Sequence, residues 1–193
     1  MFDTFESYLS ESQATLARMA AASLQPAADA ATQALIRAAT QRLPILVCGN
    51  GGSAADAQHI AGELAGRFLL DRPAIDVRAL SADTALLTAL GNDYGYETVF
   101  ARQVQAHGRT GGVLLAISTS GRSKNVLAAA QAARALQMTV IGLTGEGGGP
   151  LAALCDVLLA VPSTSTPLIQ QGHQVLYHYL CAVTEIAVAE QAR

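Results

Sequence analysis

Charge is scarce in this chain. Asp, Glu, Lys and Arg make up 14% of its 193 residues, the formal net charge is −3, and no basic run occurs. A nucleic acid requires a concentrated basic surface, so it is excluded as the main ligand. No apolar run approaches the ~20 residues of a membrane span. Cysteine is sparse as well. Cys48, Cys155 and Cys181 are odd in number, lie in apolar segments and form no CxxC or metal spacing. They read as buried thiols of a cytoplasmic protein. The opening Met1-Phe2-Asp3-Thr4-Phe5-Glu6 is acidic and lacks the charged-then-apolar order of a secretory leader. No Lys-Ser/Thr pair follows a glycine-rich loop in the P-loop position, which argues against nucleoside triphosphate chemistry. What remains is a globular chain, 51% hydrophobic and long enough for one domain with a full core.

The most informative stretch is Gly49-Asn50-Gly51-Gly52-Ser53 and the residues up to Glu63. It follows the apolar run Ile45-Leu46-Val47-Cys48, which reads as a buried strand. Glycine and asparagine then make a sharp turn, and Ser53 stands where a helix N-cap would. Such a turn presents N–H groups at the positive end of a helix and suits an anion. On the helix that follows, Asp56, His59, Glu63 and Arg67 share one ridge. Ala57, Ile60, Ala61, Leu64 and Phe68 form its apolar face. An anion cradle opening into a His-xxx-Glu pair has the makings of a site, although a solvated ridge with a Glu63–Arg67 pair would give the same pattern. Gly49-x-Gly51-x-x-Ala54 also fits the dinucleotide fingerprint, with Asp71 at the required distance but no strand to place it.

Apolar spacing over residues 2 to 24 predicts an amphipathic helix that packs on a partner subunit or caps the domain, and a second helix spans about 27 to 41. Ile75 to Leu80 alternates as a strand, Ser81 caps a helix through Leu90, and Gly91 to Tyr96 reads as a loop containing Asn92 and Asp93. A helix from about 97 to 107 precedes the buried strand Val113–Ile117. Ser118-Thr119-Ser120-Gly121-Arg122-Ser123 then surrounds one glycine with hydroxyls at a strand-to-helix turn, suiting a phosphate monoester. Strands at 139–143 and 157–161 follow, and a last helix begins with Pro167 at its first position after a hydroxyl cap. It carries Gln170, His173 and His178; His107 and His173 read as structural. Apolar strands alternating with helices predict an α/β fold, a doubly wound parallel sheet with an added N-terminal helix. Ligands of such sheets sit at the carboxyl ends of the strands, where both loops fall.

With these residues in place, the chain resembles the phosphoheptose isomerases, members of the sugar-isomerase (SIS) fold, which is a flavodoxin-like sandwich. The resemblance runs from the first helix to the last and is carried by CGNGGSAADAQHIAGE, RP, ALGNDYGYE, LLAISTSGRS, TPLIQQGH and the final YH. It implies one SIS domain over 1–193, with N-terminal helices in 1–43 and the sandwich in 44–193. It also implies a zinc ion held by His59, Glu63, Gln170 and His178, with Glu63 and His178 as the acid/base pair. Asn50, Gly51, Gly52, Ser53, Glu63, Arg67, Asn92, Asp93, Ser118, Thr119, Ser120, Ser123 and Gln170 match its substrate contacts. Leu168 and Gln171 depart from the family's usual Arg or Lys and Glu. A paralogue that binds a replication initiator shares SAA-x-AQH but lacks the full acid/base set, so Glu63 and His178 argue against it.

The activity implied is conversion of sedoheptulose 7-phosphate to D-glycero-D-manno-heptose 7-phosphate, feeding ADP-heptose and lipopolysaccharide core synthesis. A cytoplasmic homotetramer with sites at subunit borders is the implied assembly. A non-catalytic sugar-phosphate sensor on the same fold would keep both loops and need neither Glu63 nor His178.

Overall fold

The computed structural model describes residues 3–192; Phe2, counted in the first helix's apolar stripe, lies outside them. Helix α1 (Phe5–Ala21) starts at Thr4, whose hydroxyl accepts the Ser7 N–H while the Ser7 hydroxyl accepts the Thr4 N–H. This reciprocal capping satisfies two donors that a helix start leaves open. Ser23, at φ 51°, separates α1 from α2 (Gln25–Thr40), so the expected 2–24 helix stops short.

Five strands follow, β1 (Ile45–Cys48), β2 (Val77–Ala79), β3 (Val113–Ser118), β4 (Thr139–Thr144) and β5 (Val157–Ala160). All pair in parallel in the order β2-β1-β3-β4-β5. The order reverses between β1 and β3, so the loops leaving those two strands diverge to opposite sides and open a crevice at their carboxyl ends. Helices cover both faces. Ile45, Val47, Leu115, Ile117, Ile141 and Leu143 face one core with α2, α3 (Gly52–Ala65) and α7 (Thr166–Gln191). Leu46, Cys48, Leu114, Ala116 and Val140 face a second core with α4 (Thr84–Tyr94), α5 (Val99–His107) and α6 (Lys124–Ala135). Alternate side chains of a strand point to opposite faces, and here both faces are dry.

Three local expectations need correction. Ser53 is not the cap of α3. Gly51 takes that place with φ 56° and ψ −122°, and Ser53 is a buried residue of the first turn. The turn is tighter than a serine cap allows, since a Cβ on Gly49 would lie 2.6 Å from the Ser53 carbonyl oxygen. Helix α4 is capped by Asp83, which accepts the Leu86 N–H, rather than by Ser81, and it runs through Gly91-Asn92-Asp93 to Tyr94. The turn formers there do not stop it; Gly95, at φ 84°, does, because only that residue takes a backbone angle that side chains resist. Helix α3 ends at Ala65, so Arg67 and Phe68 leave the ridge and face on which helical spacing had put them.

Candidate active site

Helix α3 offers His59 and Glu63 one turn apart, and α7 brings His178 against them. His59 Nε2 lies 2.9 Å from Glu63 Oε1 and 3.5 Å from His178 Nε2. One ligand atom from each of the three falls within 4.8 Å of the others. Glu63 therefore pairs with His59, and no Glu63–Arg67 bridge forms among the described residues. Two rings hold His178: Phe68 stacks on it with centroids 5.5 Å apart, and Tyr177 meets it edge-on at 4.9 Å. Phe68 left the helix but still reaches the site.

What holds that corner is buried. Arg72 donates to the Glu63 and Gly66 carbonyls at the C-terminal end of α3, at 2.7 and 3.0 Å. A cation there satisfies orphan carbonyls and complements the helix dipole. Its side chain is fully buried and lies 3.4 Å from Glu185 of α7. Glu185 also accepts the N–H groups of Phe68, Leu69 and Leu70 at 2.8, 2.6 and 2.9 Å. Burial would raise this carboxyl, but the three N–H donors and Arg72 outweigh it and hold it below its usual range.

The first loop is built by amides. Asn50 and Asn125 exchange two side-chain hydrogen bonds, at 2.9 and 2.8 Å, and tie the turn after β1 to the start of α6. Tyr96 donates to Asn50 Oδ1 at 3.1 Å, which brings the turn after α4 over the same crevice. The Ser53 and Ala54 N–H groups are bonded within the turn, to the Asn50 and Gly51 carbonyls. Gly52 is where α7 approaches: a Cβ there would collide with the Gln170 side-chain amide. Gln170 and His59 line one cavity of about 370 Å³ with Asp56, Tyr177 and Tyr8. Gln171, the departure noted above, donates to the Tyr8 hydroxyl at 2.6 Å and so ties α7 to α1, while Leu168 is buried.

The second loop, after β3, is rich in hydroxyls and carries one cation, Arg122. Ser118 and Ser123 hydroxyls meet at 3.0 Å, and the Ser120 hydroxyl accepts the Arg122 N–H. Gly121, at φ 62°, passes so close to Gly148 that no Cβ would fit. Thr119, Ser120, Arg122, Glu146, Ser163, Thr164 and Thr166 line a cleft of about 220 Å³. Loops from β3, β4 and β5 thus meet at one end of the sheet. Thr166 and Ile169 of α7 face this cleft and Pro167 and Gln170 the other cavity, so the first turns of α7 form the wall between them.

Not every anticipated residue joins. Arg67, Asn92 and Asp93 are exposed, and Asp93 Oδ1 accepts its neighbour Asn92. Asp71 lies in the irregular segment before β2, whose carboxyl end carries Ala79. The dinucleotide reading thus lacks its acidic residue. His173 and His107 stay structural: the first is buried against the Thr144 carbonyl, the second sits 3.0 Å from Arg78. Asn125, Tyr96, Arg72, Tyr177 and Glu185 were missed. Arg72, Tyr96 and Tyr177 lie within the segments RP, ALGNDYGYE and YH but had no role assigned, and Glu185 left a trace as a carboxylate among Val183, Ile186 and Val188 on the last helix.

Comparison with known proteins agrees with this geometry. The SIS domain model matches residues 7–145. The chain is 51% identical over 185 residues to a phosphoheptose isomerase of Burkholderia pseudomallei, covering 93% of this chain and 92% of that one. It is 56% identical over 144 residues to that of Rhodospirillum rubrum, covering 75% and 77%. Among solved structures it is similar to the phosphoheptose isomerase of Neisseria gonorrhoeae, with 42% identity, TM-score 0.88 and 94% and 96% coverage. The Francisella tularensis enzyme gives 38%, 0.91, 95% and 97%. A His-Glu-His corner and a hydroxyl-lined cleft on one 2-1-3-4-5 sheet, with likeness over nearly the whole length, place the chain in the phosphoheptose isomerase family.

Proposed function

We propose that the protein converts sedoheptulose 7-phosphate to D-glycero-D-manno-heptose 7-phosphate, the entry step of ADP-heptose and lipopolysaccharide core synthesis. The observation that carries this is the grouping of Glu63 and His178 with His59, which lines the cavity on one side of the first turns of α7, while the hydroxyl-lined cleft lies on the other. The phosphate binds in the cleft through Ser118, Thr119, Ser120 and Ser123, remote from the reacting carbons, where its binding energy orients the sugar. Asn50, Gly51, Gly52, Ser53 and Gln170 face the sugar at the first loop, with Arg67, Asn92 and Asp93 at its rim. Glu63 takes the proton from C1, the electrons move to the C2 oxygen, and the same proton is returned to C2. His178 carries the proton from the oxygen on C1 to that on C2. The site thereby moves hydrogen within one molecule and needs no external oxidant.

The donor set suits a metal. Two imidazoles and a carboxylate with an open side are the ligands of a catalytic zinc site, and His59, Glu63 and His178 fit that description; Gln170 completes the set. Zinc bound there supplies Lewis-acid polarisation of the sugar oxygens.

Residues 1–193 act as one domain, assembled as a cytoplasmic homotetramer. Leu16, Met19, Leu24, Val175 and Tyr179 line an apolar groove between α1, α2 and α7, and Val175 is 50% exposed, which favours burial against another subunit. Among the described residues no helix is long and apolar enough to cross a membrane. The deciding experiment is incubation of the purified protein with sedoheptulose 7-phosphate in D₂O, followed by NMR. An aldose signal is expected, and its absence at full protein integrity overturns the reading.

A further inference from the structure

Tyr177 has no part in the reaction just described, yet it touches both histidine rings of the corner. Its hydroxyl lies 3.0 Å from His59 Nδ1 and 3.5 Å from Asp56 Oδ1. Its ring meets His59 edge-on at 5.3 Å and His178 at 4.9 Å, and it is 1% exposed. A tyrosine hydroxyl carries its proton near neutral pH. It has one proton and two neighbours that could accept it. Asp56, when ionised, can only accept.

Asp56 is the odd member. Its Oδ2 is buried without a hydrogen-bond partner, and burial raises its pKa against the opposing effect of the Tyr177 hydroxyl. A carboxylate kept so poorly satisfied is costly unless it faces positive charge. The opposite side of His59 is where such charge would come. Nε2 points at Glu63 Oε1 and His178 Nε2, so a cation held there would polarise the ring and make Nδ1–H a better donor toward Tyr177.

We infer that Tyr177 and Asp56 are positioning residues for the metal site. Asp56 accepts the Tyr177 hydroxyl, whose oxygen accepts Nδ1–H of His59, leaving the Nε2 lone pair to face Glu63 and His178. The inference rests on the reading of that cluster as a metal site, and it concerns the tautomer and orientation of one ligand. A second ring, Phe68, holds His178 from the other side, so each histidine of the pair has its own support.

Zinc affinity, measured on the purified protein by competition with a chromophoric chelator, tests this apart from activity. Tyr177→Phe keeps the ring wedge and removes only the hydroxyl. It is expected to lower zinc affinity about tenfold to a hundredfold, the usual loss when the partner of a ligating histidine is removed. Asp56→Asn should lower it in the same direction by less. The double variant should be no weaker than Tyr177→Phe alone, because Asp56 acts through the hydroxyl. In the zinc-loaded wild type, ¹⁵N shifts should report His59 protonated at Nδ1. Affinity of Tyr177→Phe within about twofold of wild type, below the loss such a partner causes, overturns the relay, as does protonation at Nε2. If Tyr177→Phe does not fold, Asp56→Asn with unchanged affinity overturns it equally. A wild type that takes up no zinc at all removes the metal reading first, and the inference with it.

Discussion

The two strand-turn-helix units at the switch point are alike in topology and different in chemistry. After β1, a glycine-capped turn opens into α3, which carries His59 and Glu63 in contact with His178. After β3, a turn capped by Ser123 opens into α6, and most of its side chains are hydroxyls, two of which bond each other. The first unit can move a proton or bind a cation; the second offers hydroxyl donors and acceptors beside one guanidinium, Arg122. One sheet thus provides two equivalent platforms and leaves their roles to a handful of side chains. Each platform also has a buried group of α7 near it, Glu185 with Arg72 at the end of α3 and His173 against the Thr144 carbonyl at the end of β4, the strand beside β3.

The sharpest way to break the comparison is to remove the titratable groups from the first unit. Glu63→Gln and His178→Gln should each lower turnover by about three orders of magnitude, within the range for loss of a general acid or base, with circular dichroism unchanged. Near-normal aldose formation by either variant would erase the chemical distinction between the two units.

Next come the buried groups of α7. Glu185→Gln leaves the Arg72 charge buried without its partner and should destabilise the fold by about 4 kcal/mol, read from denaturant unfolding. His173 differs in kind. Burial outweighs its hydrogen bond to Thr144 and pushes its pKa down to about 4 from 6.5. The unfolded chain therefore binds a proton that the folded one resists. The contribution is intact above pH 6.5, is lost as pH falls through about 4, and amounts to about 3 kcal/mol. Glu185, held below its usual 4.5, begins to yield only below that value, whereas His173 begins to yield below 6.5. Acid should thus weaken the second unit's support before the first's. A pH series of unfolding midpoints on wild type and His173→Asn checks this, since the variant should lack the slope between the two values.

The smallest effect is expected in the hydroxyl loop. Ser120→Ala removes one neutral donor and should raise KM about fivefold, roughly 1 kcal/mol, with kcat unchanged. A fall in kcat alone would move that loop into the chemistry and blur the contrast.

Much of this was legible before any coordinates. The alternation of apolar strands with helices determined a parallel α/β sheet, because strands dry on both faces admit little else. The His59–Glu63 spacing determined one ridge, and the distribution of glycine and hydroxyls marked both loops. Helix ends were less legible. Gly91, Asn92 and Asp93 look like a turn, yet α4 absorbs them because the bond-breaking angle falls at Gly95.

Only the tertiary structure decided which distant residues meet. Asn125 locks onto Asn50 from 75 residues away, Glu185 reaches the backbone of 68–70, and Tyr177 reaches His59 and Asp56. Local propensity carries no information on such pairs, since each residue fits its own helix equally well with or without its partner. Their meeting follows from the strand order and from α7 crossing α3, and that crossing is set by packing of the whole apolar core. The sequence by itself thus determined the platforms and the donor types, and the packing of α7 decided the site.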